Sequence, residues 1–192
     1  SFLEQRFGVW SAMGGTGSIV KGMAGLIEGQ GGKIECNAEV EEILVEEGAV
    51  RGVRLADGRT LHSDLVVSNA DAAWTYRHLI KAKHRKRWTD RKIDRSHFSN
   101  GLFVWYFGTK GQYPDVPHHS VILGPRYKGL LDDIFKRKVL ADDFSLYLHR
   151  PTETDPSLAP EGCDTFYALA PVPHLDADVD WPTYAETFKE RI

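Results

Sequence analysis

Phe7-Gly8-Val9-Trp10, then Gly14-Gly15-Thr16-Gly17, then Gly31-Gly32-Lys33-Ile34-Glu35-Cys36-Asn37-Ala38-Glu39-Val40 frame the stretch that decides how this chain folds. It spells a glycine turn, a helix, a stop and a strand. A Thr16 or Ser18 hydroxyl can accept from the N–H groups that a helix start leaves without partners. Ile19, Val20, Met23, Leu26 and Ile27 then recur at helical spacing and form one apolar stripe. Gly31-Gly32 ends the helix, because glycine enters the left-handed conformation without a Cβ clash. The spacing predicts a β-strand from Ile34 onward.

Working outward, the chain of 192 residues is 42% hydrophobic and 27% charged, which is ordinary globular composition. Its net charge of −3 gives no electrostatic reason for nucleic acid as a partner. Two cysteines, Cys36 and Cys163, are too few for a disulfide framework and fit a reduced cytosolic setting. No window carries the run of about 18 apolar residues that a spanning helix needs. The chain opens at Ser1 in a charged amphipathic stretch and closes at Ile192 inside a helical pattern, so it reads as an internal piece of a longer protein.

Val40 to His62 reads as a three-stranded meander, with turns at Glu47-Gly48 and Asp57-Gly58. Leu65-Val66-Val67 reads as a strand buried on both faces in a parallel sheet, with Ser68-Asn69-Ala70 at its carboxyl end and a helix opening near Asp71. Lys81 to Arg95 is markedly basic. A composition shift near Ser96 separates two halves. Beyond it come an aromatic strand from Asn100 to Thr109, a strand from Ser120 to Leu123 and a helix from Lys128 to Arg137. That helix would turn Leu130, Leu131, Ile134 and Phe135 inward. Strands at Phe144–His149 and Thr165–Ala170 follow, then a closing helix with Pro182 near its start. The class is α/β, in a mixed α+β arrangement.

An ordered series of segments carries a resemblance. Besides the opening stretch it includes Val66-Val67-Ser68-Asn69-Ala70-Asp71, Tyr106-Phe107-Gly108, Gly124-Pro125-Arg126-Tyr127, Asp143 to His149, Ser157 to Cys163 and Leu169 to Leu175. The chain resembles bacterial-type phytoene desaturases, FAD-dependent carotenoid desaturases of the amine-oxidase-like flavoprotein group. The resemblance implies a two-domain FAD oxidoreductase, with residues 1–95 from the FAD domain and 96–192 from the substrate domain. It implies desaturation of a C40 polyene, phytoene toward lycopene, with a C30 desaturase, isomerase, ketolase or non-catalytic isoprenoid-binding module as alternatives. It also implies a cytoplasmic protein held peripherally at the inner membrane, and a second copy of the chain is a candidate partner. Ser11-Ala12-Met13 depart from the aromatic and proline residues that the family often has there.

The chemistry-bearing residues sort as follows. Gly14 and Gly15 are cofactor-side candidates, since a helix start can meet an anion, but Gly15-Thr16-Gly17 lacks the full dinucleotide fingerprint. In the resembled group the residue at Val40 holds the adenine edge through its backbone. Ser68, Asn69 and Ala70 lie where parallel sheets place ligands, and Asn69 is equally suited to cap the next helix. Trp10, Phe103, Trp105, Phe107, Tyr147 and His149 are candidates for lining an apolar substrate tunnel, in which shape and burial replace hydrogen bonds. Phe103, Trp105 and Phe107 share one face of their strand; Leu102, Val104 and Tyr106 share the other. One face is expected to pack on helices and the other to meet substrate. No catalytic acid or base stands out. His118 and His119, if extended, point apart, and His149 and His174 have no partner at ligand spacing, so no metal site is expected. The basic run, flanked by Trp74, Tyr76 and Trp88, is read as a solvated face or a membrane-surface contact.

Overall fold

The computed structural model describes residues 2–192. In chain order its elements are α1 (Phe2–Phe7), α2 (Thr16–Gly29), β1 (Val40–Glu46), β2 (Ala49–Leu55), β3 (Thr60–His62), α3 (Ala72–Trp74), α4 (Asp90–Asp94), β4 (Gly101–Thr109), β5 (His119–Ile122), α5 (Tyr127–Asp132), β6 (Leu146–His149), β7 (Asp164–Val172) and α6 (Trp181–Arg191). Wider π-type turns at Thr75–Leu79 and Asp133–Arg137 extend α3 and α5. The chain divides into two compact units: residues 31–97, and residues 2–30 together with 98–192.

In the 31–97 unit, β1-β2-β3 form the expected antiparallel meander. Glu47 and Gly48 both take positive φ, 51° and 81°, which matches the twist of the flanking strands. Gly52 is the constrained residue. Its φ is 128°, and a Cβ there would lie 2.0 Å from the Leu61 carbonyl oxygen. The register slips beside it, between Leu44↔Gly52 and Val45↔Val50, so glycine lets β2 bulge while β3 stays paired. Ile43, Leu55 and Ile93 are buried, and the extension of α3 packs against β1. Buried Glu42 is ion-paired with Lys81 Nζ at 2.6 Å and with Arg54 Nη2 at 2.7 Å. The Lys81 bond leads in holding its carboxyl below the usual range, against burial, which pushes it up.

Three expectations fail in this unit. No strand starts at Ile34; pairing begins at Val40, and the left-handed Asn37, φ 56°, interrupts any extended run before it. Leu65-Val66-Val67 has strand composition but no strand beside it, so it is unpaired chain with Leu65 and Val67 exposed. Asp71, not Asn69, caps α3, accepting from the Trp74 N–H at 2.8 Å.

In the other unit β4-β7-β6-β5 make a four-stranded antiparallel sheet. Register sorts its side chains. Phe103 lies opposite Ala170, Trp105 opposite Ala168 and Phe107 opposite Phe166, and each pair shares a face. α6 covers that face: Phe188 is buried with Ala170 and Val172, and Phe103, Leu146, Trp181 and Phe144 close around them. Phe103 meets Trp181 and Phe188 at ring-centroid distances of 5.7 and 5.0 Å. A second cluster joins Leu130, Ile134 and Ala141. Phe135, expected inward, is exposed, because the wider turn of 133–137 shifts it off the helical face.

α2 runs as expected and stops before Gly31, φ 81°. Its N-cap is Gly15, with no side-chain cap from Thr16 or Ser18. The Ser18 hydroxyl instead folds over Gly14, where a Cβ would lie 2.4 Å from it. None of the stripe Ile19, Val20, Met23, Leu26 and Ile27 is buried.

Candidate functional site

The candidate surface is the uncovered face of the four-stranded sheet. Leu102, Val104 and Tyr106 of β4 lie opposite Pro171, Leu169 and Tyr167 of β7. Tyr147 and His149 of β6 pair with Leu169 and Tyr167, and Val121 and His119 of β5 pair with Tyr147 and His149. One continuous face is therefore aromatic and apolar along its length and carries histidines at one end. Leu102, Tyr106 and Val121 are exposed on it. Tyr167 ties it together, with ring-centroid distances of 5.5 Å to Tyr106, 5.8 Å to Tyr147 and 4.6 Å to His149.

Antiparallel pairing brings three histidines together at that end. His118 Nε2 and His149 Nε2 are 2.7 Å apart, so with neutral rings one of them carries the shared hydrogen. His118 Nδ1 lies 2.5 Å from Thr154 Oγ1, and His119 Nδ1 lies 2.5 Å from the Tyr147 hydroxyl. Burial, then the neighbouring His118 and His119, push His149 down to about 4. Burial, then His119 and Arg150, lower His118. Burial, then Tyr167, raises Tyr147 to about 12. All three groups are thus neutral at physiological pH. The expectation that His118 and His119 point apart is corrected. His118 lies just before β5 and outside its pairing, so it escapes strand alternation, and the two rings stack at 4.2 Å.

A cleft of about 200 Å³ opens beside these rings. Trp10, Met13, Gly15 and Ile19 form one wall, and Pro151, Thr154, Asp155 and Leu158 another. Asp155 joins the walls. Its carboxylate accepts from the Gly14 N–H at 2.6 Å and from the Ser157 hydroxyl at 2.6 Å. The Ser157 hydroxyl, then the Gly14 amide, hold that carboxyl below the usual range. The loop carrying Asp155 is anchored in turn. Buried Asp164 accepts from Thr152 Oγ1 at 2.6 Å, the Tyr113 N–H at 2.7 Å and Arg150 Nη1 at 3.1 Å.

The sequence-level candidates divide accordingly. Tyr147 and His149 lie on the open face, and Trp10 and His149 line the cleft. Phe103, Trp105 and Phe107 lie on the helix-covered side, so of the two faces of β4 it is the one with Leu102, Val104 and Tyr106 that stays open. The sequence marks Leu102, Val104 and Tyr106 only as the second face of that strand, and gives Tyr167 and Leu169 no site role. The signal for them was present: β7 alternates small Ala168 and Ala170 with large Tyr167 and Leu169, and the small ones oppose Phe103 and Trp105. At the glycine turn, an anion is already supplied by Asp155. Val40, half-buried, opens β1 opposite Leu55. Ser68, Asn69 and Ala70 are exposed, and Ser68 Oγ is 2.9 Å from Thr75 Oγ1.

The flavin containing amine oxidoreductase family matches residues 2–162. The chain belongs to that family. It is 55% identical over its whole length to the phytoene desaturase (neurosporene-forming) of Cereibacter sphaeroides and covers 38% of that protein. It is 49% identical to the phytoene desaturase (lycopene-forming) of Pseudescherichia vulneris, with 99% of this chain and 39% of that protein covered. The chain thus spans well under half the length of these relatives. An oxidoreductase from Methanosarcina mazei shares the fold, with a TM-score of 0.62 at 23% identity over 93% of this chain and 36% of that one.

A flavin fits part of this chain and not another. The Ser68–Ala70 segment is exposed, with apolar Leu65 and Val67 uncovered beside it, so nothing in its own unit stands against a large ring-bearing cofactor there. The Gly14-Gly15 turn does not suit the cofactor's pyrophosphate, because the Asp155 carboxylate already occupies the Gly14 amide and would repel it.

Proposed function

We propose that the protein acts as an FAD-dependent carotenoid desaturase on phytoene, with this chain supplying part of the surface that seats the polyene. The carrying observation is the open aromatic face of the four-stranded sheet, set beside high identity to phytoene desaturases. FAD, when bound, supplies the redox capacity for removing hydrogen across a C–C bond. The backbone of Val40 and the Ser68–Ala70 segment are the parts of this chain that would hold it. Leu102, Val104, Tyr106, Tyr147, Tyr167 and Leu169 orient a substrate without polar handles by burying it, and they exclude water from it.

Membrane contact belongs to the same proposal, since the substrate resides in lipid. No helix among the described residues is long and apolar enough to cross a membrane. Within the basic run, Lys81 is engaged by Glu42 and Arg85 by Asp90. Lys83, Lys86 and Arg87 instead line a groove with Tyr76 and Trp88, and these are the cations offered to anionic headgroups.

The test is HPLC of phytoene incubated in liposomes with the FAD-loaded protein expressed from its complete reading frame. Conjugated-polyene products support the proposal. Stoichiometric flavin with unchanged phytoene would refute it.

A further inference from the structure

We propose that His118, His119 and His149 form a binding site for a divalent first-row transition ion of the zinc class. The ring nitrogens offered by the three residues lie within 4.8 Å of one another. A tetrahedral zinc site with bonds of about 2.0–2.1 Å sets its ligand nitrogens about 3.3 Å apart. The His118–His149 pair, at 2.7 Å, opens slightly to reach that spacing, and His119 closes toward it. His119 is exposed on an edge strand, so its ring can tilt within the present stack while Tyr147 keeps its Nδ1.

The surroundings are those of a ligand set. Thr154 sits on His118 Nδ1 and Tyr147 on His119 Nδ1, which leaves the Nε2 atom of each ring for the ion. Second groups of this kind orient metal-binding imidazoles and fix their tautomers. The donor set is all imidazole, which suits zinc, copper or nickel and not magnesium or calcium. Three ligands leave a fourth position, and the adjoining cleft gives access to it. One feature works against ligation: His149 Nδ1 is buried without a partner and would have to carry the proton displaced from Nε2. Micromolar rather than nanomolar affinity follows.

The experiment is calorimetric titration of the tag-free protein with Zn²⁺, with the visible spectrum of the Co²⁺ form as the geometric readout. Neither depends on flavin or on desaturase activity. One saturable site of micromolar affinity is expected, weakened at least tenfold by H119A and by H149Q, and unchanged by H62A and H97A. H119A alters an exposed side chain and decides the matter even where H149Q fails to fold, as circular dichroism would reveal. No saturable binding up to millimolar Zn²⁺, or full affinity in H119A, would overturn the site and leave the histidines a proton-sharing cluster only.

Discussion

Replacing Asp164 with alanine tests how the cleft is held. Asp164 opens β7 at 2% exposure and receives three hydrogen bonds, from Thr152, Tyr113 and Arg150. The Arg150 side chain is itself only 5% exposed. Removing one partner of a buried ion pair costs about 3–5 kcal/mol, and the half-exposed Glu153, which also pairs with Arg150, neutralises part of the charge left behind and holds that term at the low end. The hydroxyl and amide lose their acceptor as well. We expect about 4 kcal/mol, a large part of the roughly 5–15 kcal/mol that holds a domain together. For a chain of this size that lowers Tm by about 10 °C. Arg150 also donates its backbone N–H to the His118 carbonyl at 2.9 Å, so the histidine end should loosen with it.

The pH dependence follows with a definite sign. Burial raises the Asp164 carboxyl, but the Thr152, Tyr113 and Arg150 donors outweigh burial and leave it below 3.8. A lowered carboxyl contributes its full stabilisation above the unfolded value and loses it as pH falls through the folded one. The gap between wild type and D164A, measured by urea denaturation at several pH values, should therefore be constant above about pH 5 and close below about pH 3.8. D164L paired with R150M should recover at least about 1 kcal/mol over D164L alone, since apolar replacement of a whole buried pair is often neutral. A D164A loss under about 1 kcal/mol, or a gap that widens in acid, would refute the reasoning.

The two faces of β4 should respond differently to truncation. F103A should cost about 3–5 kcal/mol in denaturation, as a ring packed on α6 is lost. L102S and Y106S should leave the melting temperature nearly unchanged and weaken polyene retention in liposome assays by about fivefold each, from roughly 1 kcal/mol of lost apolar contact. G52A should destabilise the 31–97 unit by about 3 kcal/mol or more, by clash and positive-φ strain, seen as early loss of β-sheet signal on heating. D155N should free the Gly14 amide from its charged acceptor and speed proteolytic cleavage between residues 8 and 16 at neutral pH. K86E combined with R87E should reduce co-sedimentation with anionic liposomes at low salt; unchanged binding would remove the membrane-surface reading.

Local signals were strong wherever a few neighbouring residues settle the structure. Glu47-Gly48 and Asp57-Gly58 sit at the tight turns of the meander, and the α2 stop at Gly31 needs only a residue tolerant of φ 81°. What could not be read locally depended on what lies alongside. Leu65-Val66-Val67 has the composition of a doubly buried strand, but composition does not supply neighbours, and the segment stays unpaired and exposed. Phe135 keeps helical spacing in the sequence, yet a wider turn rotates it outward.

The site was legible in its residue types and not in its faces. Period two shows that Phe103, Trp105 and Phe107 share a side; it cannot say which side α6 will cover. The answer lies about 60 residues downstream, in the alanines of β7, because a bulky aromatic opposite a small residue leaves room for a helix to pack over both. The same limit applies to the histidines. Adjacent residues in an extended strand diverge, but His118 precedes the strand, and His149 arrives from the next strand in register with His119. A cluster assembled across strands has no spacing signature along one of them. It becomes visible only once the pairing of β5 with β6 is known. The histidine cluster arises from that one register: a shift of β5 by a single residue would turn His119 and Val121 to the helix-covered side and dismantle it, while the open face of β4, β7 and β6, set by other pairings, would remain.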